Sequence, residues 1–148
     1  MNSYLVPFQV EHLDNFQMRE SEVARFQADP KGGSKIEALT VYGMGATIFY
    51  KGLIIGIIGY YEMWPGVIEI WAFPSIHVTA HSMVYLRHCK RYVELVERTY
   101  SPHRLQTCSY ADDIHTRWME FLGFHEEGTL KKYTVFQEDF KLWAKTYD

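Results

Sequence analysis

The segment from Ala46 to Phe73 constrains the fold more than any other part of the chain. Ala46 to Tyr50, a Lys51-Gly52 turn and Leu53 to Met63 have the pattern of a β-hairpin. The second arm is apolar at consecutive positions from Leu53 to Ile58, so both of its faces must be covered. Such a strand belongs inside a sheet that has other elements packed above and below it. Gly56 and Gly59 within it predict a bulge or a close approach to the backbone. Trp64-Pro65-Gly66 is a turn, and Val67 to Phe73 is the next strand, ended by Pro74.

Helical periodicity dominates elsewhere. From about Thr79 to Tyr100, Met83, Leu86, Cys89, Val93, Val96 and Tyr100 recur at steps of three and four, which predicts one buried stripe. Ser101-Pro102 stops that helix, and Arg104 to Tyr110 reads as a strand. A short helix from about Asp112 to Leu122 ends at Gly123, which supplies a left-handed cap, with Phe124 as an apolar plug. Thr129 to Val135 and Phe140 to Thr146 form a closing hairpin. At the front, Tyr4 to Gln9 reads as an edge strand, Glu11 to Gln17 as a helix, and Ser21 to Ala28 as a helix with Ser21 at its N-cap. After an Asp29–Ser34 loop, Ser34-Lys35-Ile36-Glu37 has capping-box spacing for another helix. The expected fold is mixed α+β in three layers, a mostly antiparallel sheet of six or seven strands with helices on both faces.

At 148 residues the chain is expected to be one domain, residues 1–148. A net charge of −3 argues against nonspecific nucleic-acid binding. The N-terminus lacks the basic and apolar regions of a signal peptide, so a cytoplasmic setting without membrane association is expected. Cys89 and Cys108 have no metal or redox spacing and are expected as buried thiols, a structural pair being the minor alternative. Seven histidines form no ligand box, and His77 and His81 lack the glutamate of zinc-protease spacing, so no metal is expected.

The element order, together with the Leu122-Gly123-Phe124 helix end, the following acidic pair and the strand after it, resembles the GCN5-related N-acetyltransferases. More narrowly, Met18-Arg19-Glu20 with Glu22, Ile70-Trp71-Ala72, Arg117-Trp118 and Asp139-Phe140 resemble short acetyltransferase-like proteins of tailed bacteriophages, some of them internal virion proteins. The resemblance implies acetyl-CoA as cofactor and an amine acceptor. It also implies that two strands splay between Ile70-Trp71-Ala72 and Thr107-Cys108-Ser109 to admit the pantetheine arm. Trp71, Ala72 and Phe73, then Thr79, His81 and Ser82 at the helix start, and Asp112, are the cofactor contacts it suggests. A homodimer is possible by the same analogy. Two departures stand out. The family's pyrophosphate loop carries glycines, whereas Ser75 to Met83 has none. The family's frequent acid tyrosine, four residues before the helix-ending glycine, is Met119 here, which donates nothing.

Acetyl transfer needs a group to take the amine's proton and a donor for the thioester oxygen. Glu69 is the candidate base, or else a solvent-facing residue of an alternating strand. Tyr110 is the candidate acid, or else a rim aromatic. The Ala72 amide is the candidate oxyanion donor. Tyr60, Tyr61, Trp64, Trp71 and Phe73 are candidates for an acceptor pocket, a protein interface or the core. Arg87, His88, Lys90 and Arg91 form a basic patch, read as a solvated face or a phosphate contact. Two functions follow: an acyl-CoA-dependent N-acyltransferase, or a non-catalytic phage virion or assembly protein that binds a phage or host partner.

Overall fold

The strand that is apolar on both faces lies third in a seven-stranded sheet, with β1-β2-β3-β4-β5-β7-β6 as the order. The computed structural model of the chain describes residues 2–29 and 44–148. The strands are β1 Ser3–Pro7, β2 Met44–Tyr50, β3 Leu53–Trp64, β4 Val67–Pro74, β5 Arg104–Tyr110, β6 His125–Leu130 and β7 Phe140–Thr146. The described α-helices are α1 Glu20–Ala28, α2 Ser82–Tyr100 and α3 Asp113–Phe121. The helix expected to begin at Ser34 lies outside the described residues. All neighbouring strands are antiparallel except β4 and β5.

Both faces of β3 are covered. On one, Ile55 and Ile58 join Leu86, Cys89, Val93 and Val96 of α2, with Leu122 and Phe124 from the end of α3. On the other, Ile57, Trp71 and Phe73 pack with Phe8, Leu13, Phe16 and Phe26. The glycines of β3 serve close approach, with a bulge beside Gly56, where the pairing shifts from Ile48↔Gly56 to Phe49↔Ile54. Gly45, Gly59 and Trp71 are cross-strand neighbours. A Cβ on Gly59 would meet the Trp71 ring at 2.1 Å, so the indole lies directly on the glycine backbone.

Several boundaries differ from expectation. The long helix starts at Ser82 rather than Thr79, because Ile76–Val78 forms a short 3-10 turn first. Its buried stripe runs through Tyr85, His88 and Tyr92 as well, while Met83 and Tyr100 are about half exposed at 46% and 47%. With His88 buried, the basic patch reduces to Arg87, Lys90 and Arg91. Val10–Asn15 is 3-10 rather than α-helical. The N-cap of α1 is Arg19 rather than Ser21. The first arm of the last hairpin is His125–Leu130, earlier than expected, because α3 ends at Phe121 and Gly123, at φ 91°, turns the chain straight into β6. Cys89 and Cys108 are both free thiols, and burial pushes the Cys89 thiol up to about 12.

Candidate active site

β4 and β5 pair only at Val67↔Arg104, Ile68↔Leu105 and Glu69↔Gln106. Beyond that point each strand stays with its outer neighbour. β4 follows β3 as far as Pro74, and β5 follows β7 through Tyr110↔Phe140. The sheet therefore opens like a V, with the facing backbone edges of Ile70–Phe73 and Thr107–Tyr110 unpaired to each other. A cavity of 640 Å³ occupies the opening, walled by α1, β4, β5, α3 and the Tyr133–Val135 turn segment.

Glu69 lines this cavity at the point where the strands part. The Tyr61 hydroxyl donates a hydrogen bond to its Oε2. Burial, then that bond and the carboxylate charge, raises the Tyr61 pKa, so the phenol stays protonated and holds the carboxylate in place. Cys108 and Tyr133 complete this wall, with Cys108 Sγ 4.0 Å from the Tyr133 hydroxyl. Tyr110 also lines the cavity; its hydroxyl is buried and has no hydrogen-bond partner among the described residues. The same holds for Trp71 Nε1.

Trp71, Ala72 and Phe73 line the cavity wall on β4, whereas Thr79, His81 and Ser82 are not among its lining residues. The ring of His81 sits edge-on to Tyr50 at 4.8 Å, and its side chain does not cap α2. Helix geometry leaves the first-turn amides of Ser82, Met83 and Val84 without intrahelical acceptors. Asp112 caps α3 by accepting from the His115 amide at 2.8 Å. Of the aromatic cluster, Tyr61, Trp71 and Phe73 face the cavity, while Tyr60 donates to the Tyr100 hydroxyl and Trp64 is 58% exposed.

Arg19, Glu22 and His115 are among the cavity residues not singled out by their chemistry in the sequence. Arg19 spans between the other two. It forms an ion pair with Glu22, and its Nη1 lies 3.1 Å from His115 Nε2. Because a guanidinium only donates, His115 Nε2 must accept. The ring proton then sits on Nδ1 and is donated to Asp112 Oδ1 at 2.7 Å. Burial holds the His115 pKa down against the pull of Asp112, in keeping with this neutral tautomer. For Asp112, burial pushes the carboxyl up, but the His115 amide and ring bonds outweigh it and the pKa is lowered. For Glu22, burial outweighs Arg19 and raises the pKa.

The sign for stability follows. A histidine whose folded pKa lies below its unfolded value of about 6.5 binds more protons when unfolded. Its contribution is therefore lost as pH falls through and below about 6.5. Glu22 acts oppositely, its contribution falling as pH rises from the unfolded value through the raised folded one. The melting temperature should drop between pH 7 and 5, and His115→Asn should flatten that drop. An unchanged slope in the variant would remove His115 as its source.

No family model matches the sequence, and no curated protein does. Solved structures do match in fold. One is the ribosomal-protein-S5-alanine acetyltransferase of Vibrio fischeri, 15% identical, with a TM-score of 0.69 over 100% of this chain and 94% of that one. A second is RimL, a ribosomal L7/L12 α-N-protein acetyltransferase solved with coenzyme A; it is 13% identical, with a TM-score of 0.73 over 100% and 96%. A third is a GNAT-family acetyltransferase of Bacillus anthracis, 12% identical, with a TM-score of 0.73 over 99% and 95%. The chain has the fold of the GCN5-related N-acetyltransferases. Among the described residues, no helix is long and apolar enough to cross a membrane.

Proposed function

We propose that the protein is an acyl-CoA-dependent N-acyltransferase that moves an acetyl group from acetyl-CoA to a primary amine. The observation that carries this reading is the parting of β4 from β5 just past Glu69, because unpaired strand edges beside a cavity can bond an amide-bearing ligand. In this reading the pantetheine arm lies along Trp71–Phe73, and the free amides at Ser82 meet the pyrophosphate. Glu69 takes a proton from the amine, whose nitrogen attacks the thioester carbonyl. The Ala72 amide is the oxyanion donor. The N–C bond forms, the C–S bond breaks, and the leaving thiolate takes the Tyr110 hydroxyl proton. The orphaned hydroxyl of Tyr110 suits that task, and it supplies an acid where α3 carries Met119.

The test is calorimetric titration with acetyl-CoA and with CoA, which should show binding in the micromolar range. Absence of binding at millimolar cofactor would overturn the reading.

The second reading is a non-catalytic bacteriophage virion or assembly protein that uses this fold to bind a phage or host partner. The glycine-free stretch Ser75–Met83 and Met119 favour it. It predicts no thioester cleavage with any amine and co-sedimentation with virions. Under the phage-type reading the protein acts in the host cytoplasm or within the particle.

A further inference from the structure

Glu22 is 3% exposed, although it lies in the first turn of a helix whose other residues are mostly half-buried or exposed. One carboxylate oxygen, Oε1, is held by Arg19. The other, Oε2, is buried and has no hydrogen-bond partner among the described residues, and Glu22 lines the 640 Å³ cavity. A buried carboxylate with half its accepting capacity unmet is unfavourable unless a donor arrives. The raised pKa of Glu22, set by burial against the pull of Arg19 and Arg25, expresses the same shortfall.

The neighbours limit what that donor is. Arg19 spends its Nη2 on Oε1 and its Nη1 on His115, while its Nε is buried and has no partner among the described residues. The Arg25 guanidinium lies over the rings of Tyr110 and Phe140, at 5.5 and 5.6 Å. Much of the cavity wall is aromatic, with Phe73 in contact with both Phe26 and Trp71.

We propose that Glu22 Oε2 receives an ammonium group in this cavity, and that the ligand is a primary amine carried on a short aromatic or apolar stem. Calling that amine the acetyl acceptor rests on the N-acyltransferase reading; its binding does not. Glu69, with one oxygen engaged by Tyr61, is a separate group and is not the ammonium's anchor.

The experiment is calorimetric titration of the full chain at pH 7 with 2-phenylethylamine, and with the uncharged 2-phenylethanol as control. The amine should bind and the alcohol should not. Glu22→Gln, which keeps the size and a bond to Arg19, should weaken amine binding roughly 30-fold or more. No amine binding by the wild type, or binding indifferent to Glu22→Gln, overturns the proposal. Should that variant fail to fold, NMR of carboxyl-labelled glutamate in the wild type decides. The Glu22 resonance must move with added amine, and a shift confined to Glu69 is the contrary result. A thioester-cleavage assay with the same amine separates the two readings. Glu22-dependent binding without cleavage leaves this inference standing and removes the acyltransferase. Cleavage undiminished by Glu22→Gln does the reverse.

Discussion

Glu69→Gln should slow acetyl transfer roughly 100-fold or more while leaving acetyl-CoA affinity and the melting temperature near those of the wild type. The size follows from the chemistry. An amine is a nucleophile only after it loses a proton, and glutamine accepts no proton at neutral pH. The preserved fold follows from the surroundings. Glu69 is half-buried, and a glutamine oxygen still accepts from the Tyr61 hydroxyl. Steady-state kinetics with a saturating amine, set beside a cofactor titration, checks both halves. Turnover equal to wild type would remove Glu69 as the base.

The second large effect is structural. Gly59→Ala should destabilise the protein by about 2–3 kcal/mol and lower its melting temperature by roughly 5–10 °C. The added Cβ would lie 2.1 Å from Trp71 Cζ2 and 2.5 Å from its Cε2, so the whole indole must shift. That indole also walls the cavity, so amine and cofactor affinities should fall together with stability. Gly128→Ala is the matched control. It also sits in a strand but has nothing within 4 Å of the added Cβ, and it should stay within about 0.5 kcal/mol of wild type. Equal melting temperatures for the two variants would mean that Trp71 can move aside at no cost.

The sheet was legible because apolar runs and turn residues report burial directly. Leu53–Ile58 could only belong to an interior strand, and the close approach at Gly59 followed from a glycine further along the same strand. Glu69 and Tyr110 were reached through the family resemblance and line the cavity, as do Trp71, Ala72 and Phe73. Arg19 and Glu22 were not legible as a site. Charges three apart at a helix start ordinarily mark a solvated face, and nothing local says that this turn is pressed into the V beside α3. The link from Arg19 to His115 crosses 96 positions, and no local periodicity encodes such a contact. The start of α2 was placed at Thr79 rather than Ser82 because nothing local separates the turn at residues 79–81 from the helix that follows it.

The V has a mechanical consequence. Strands β1 to β4 form one half-sheet and β5, β7 and β6 another, stitched together by only three residue pairs at one end. The molecule resembles a partly open zip, whose remaining teeth are the backbone edges of Ile70–Phe73 and Thr107–Tyr110. A ligand bonded to both edges would act as the missing strand. Amide hydrogen exchange along those edges should then slow on ligand binding, and the two halves should come to breathe as one.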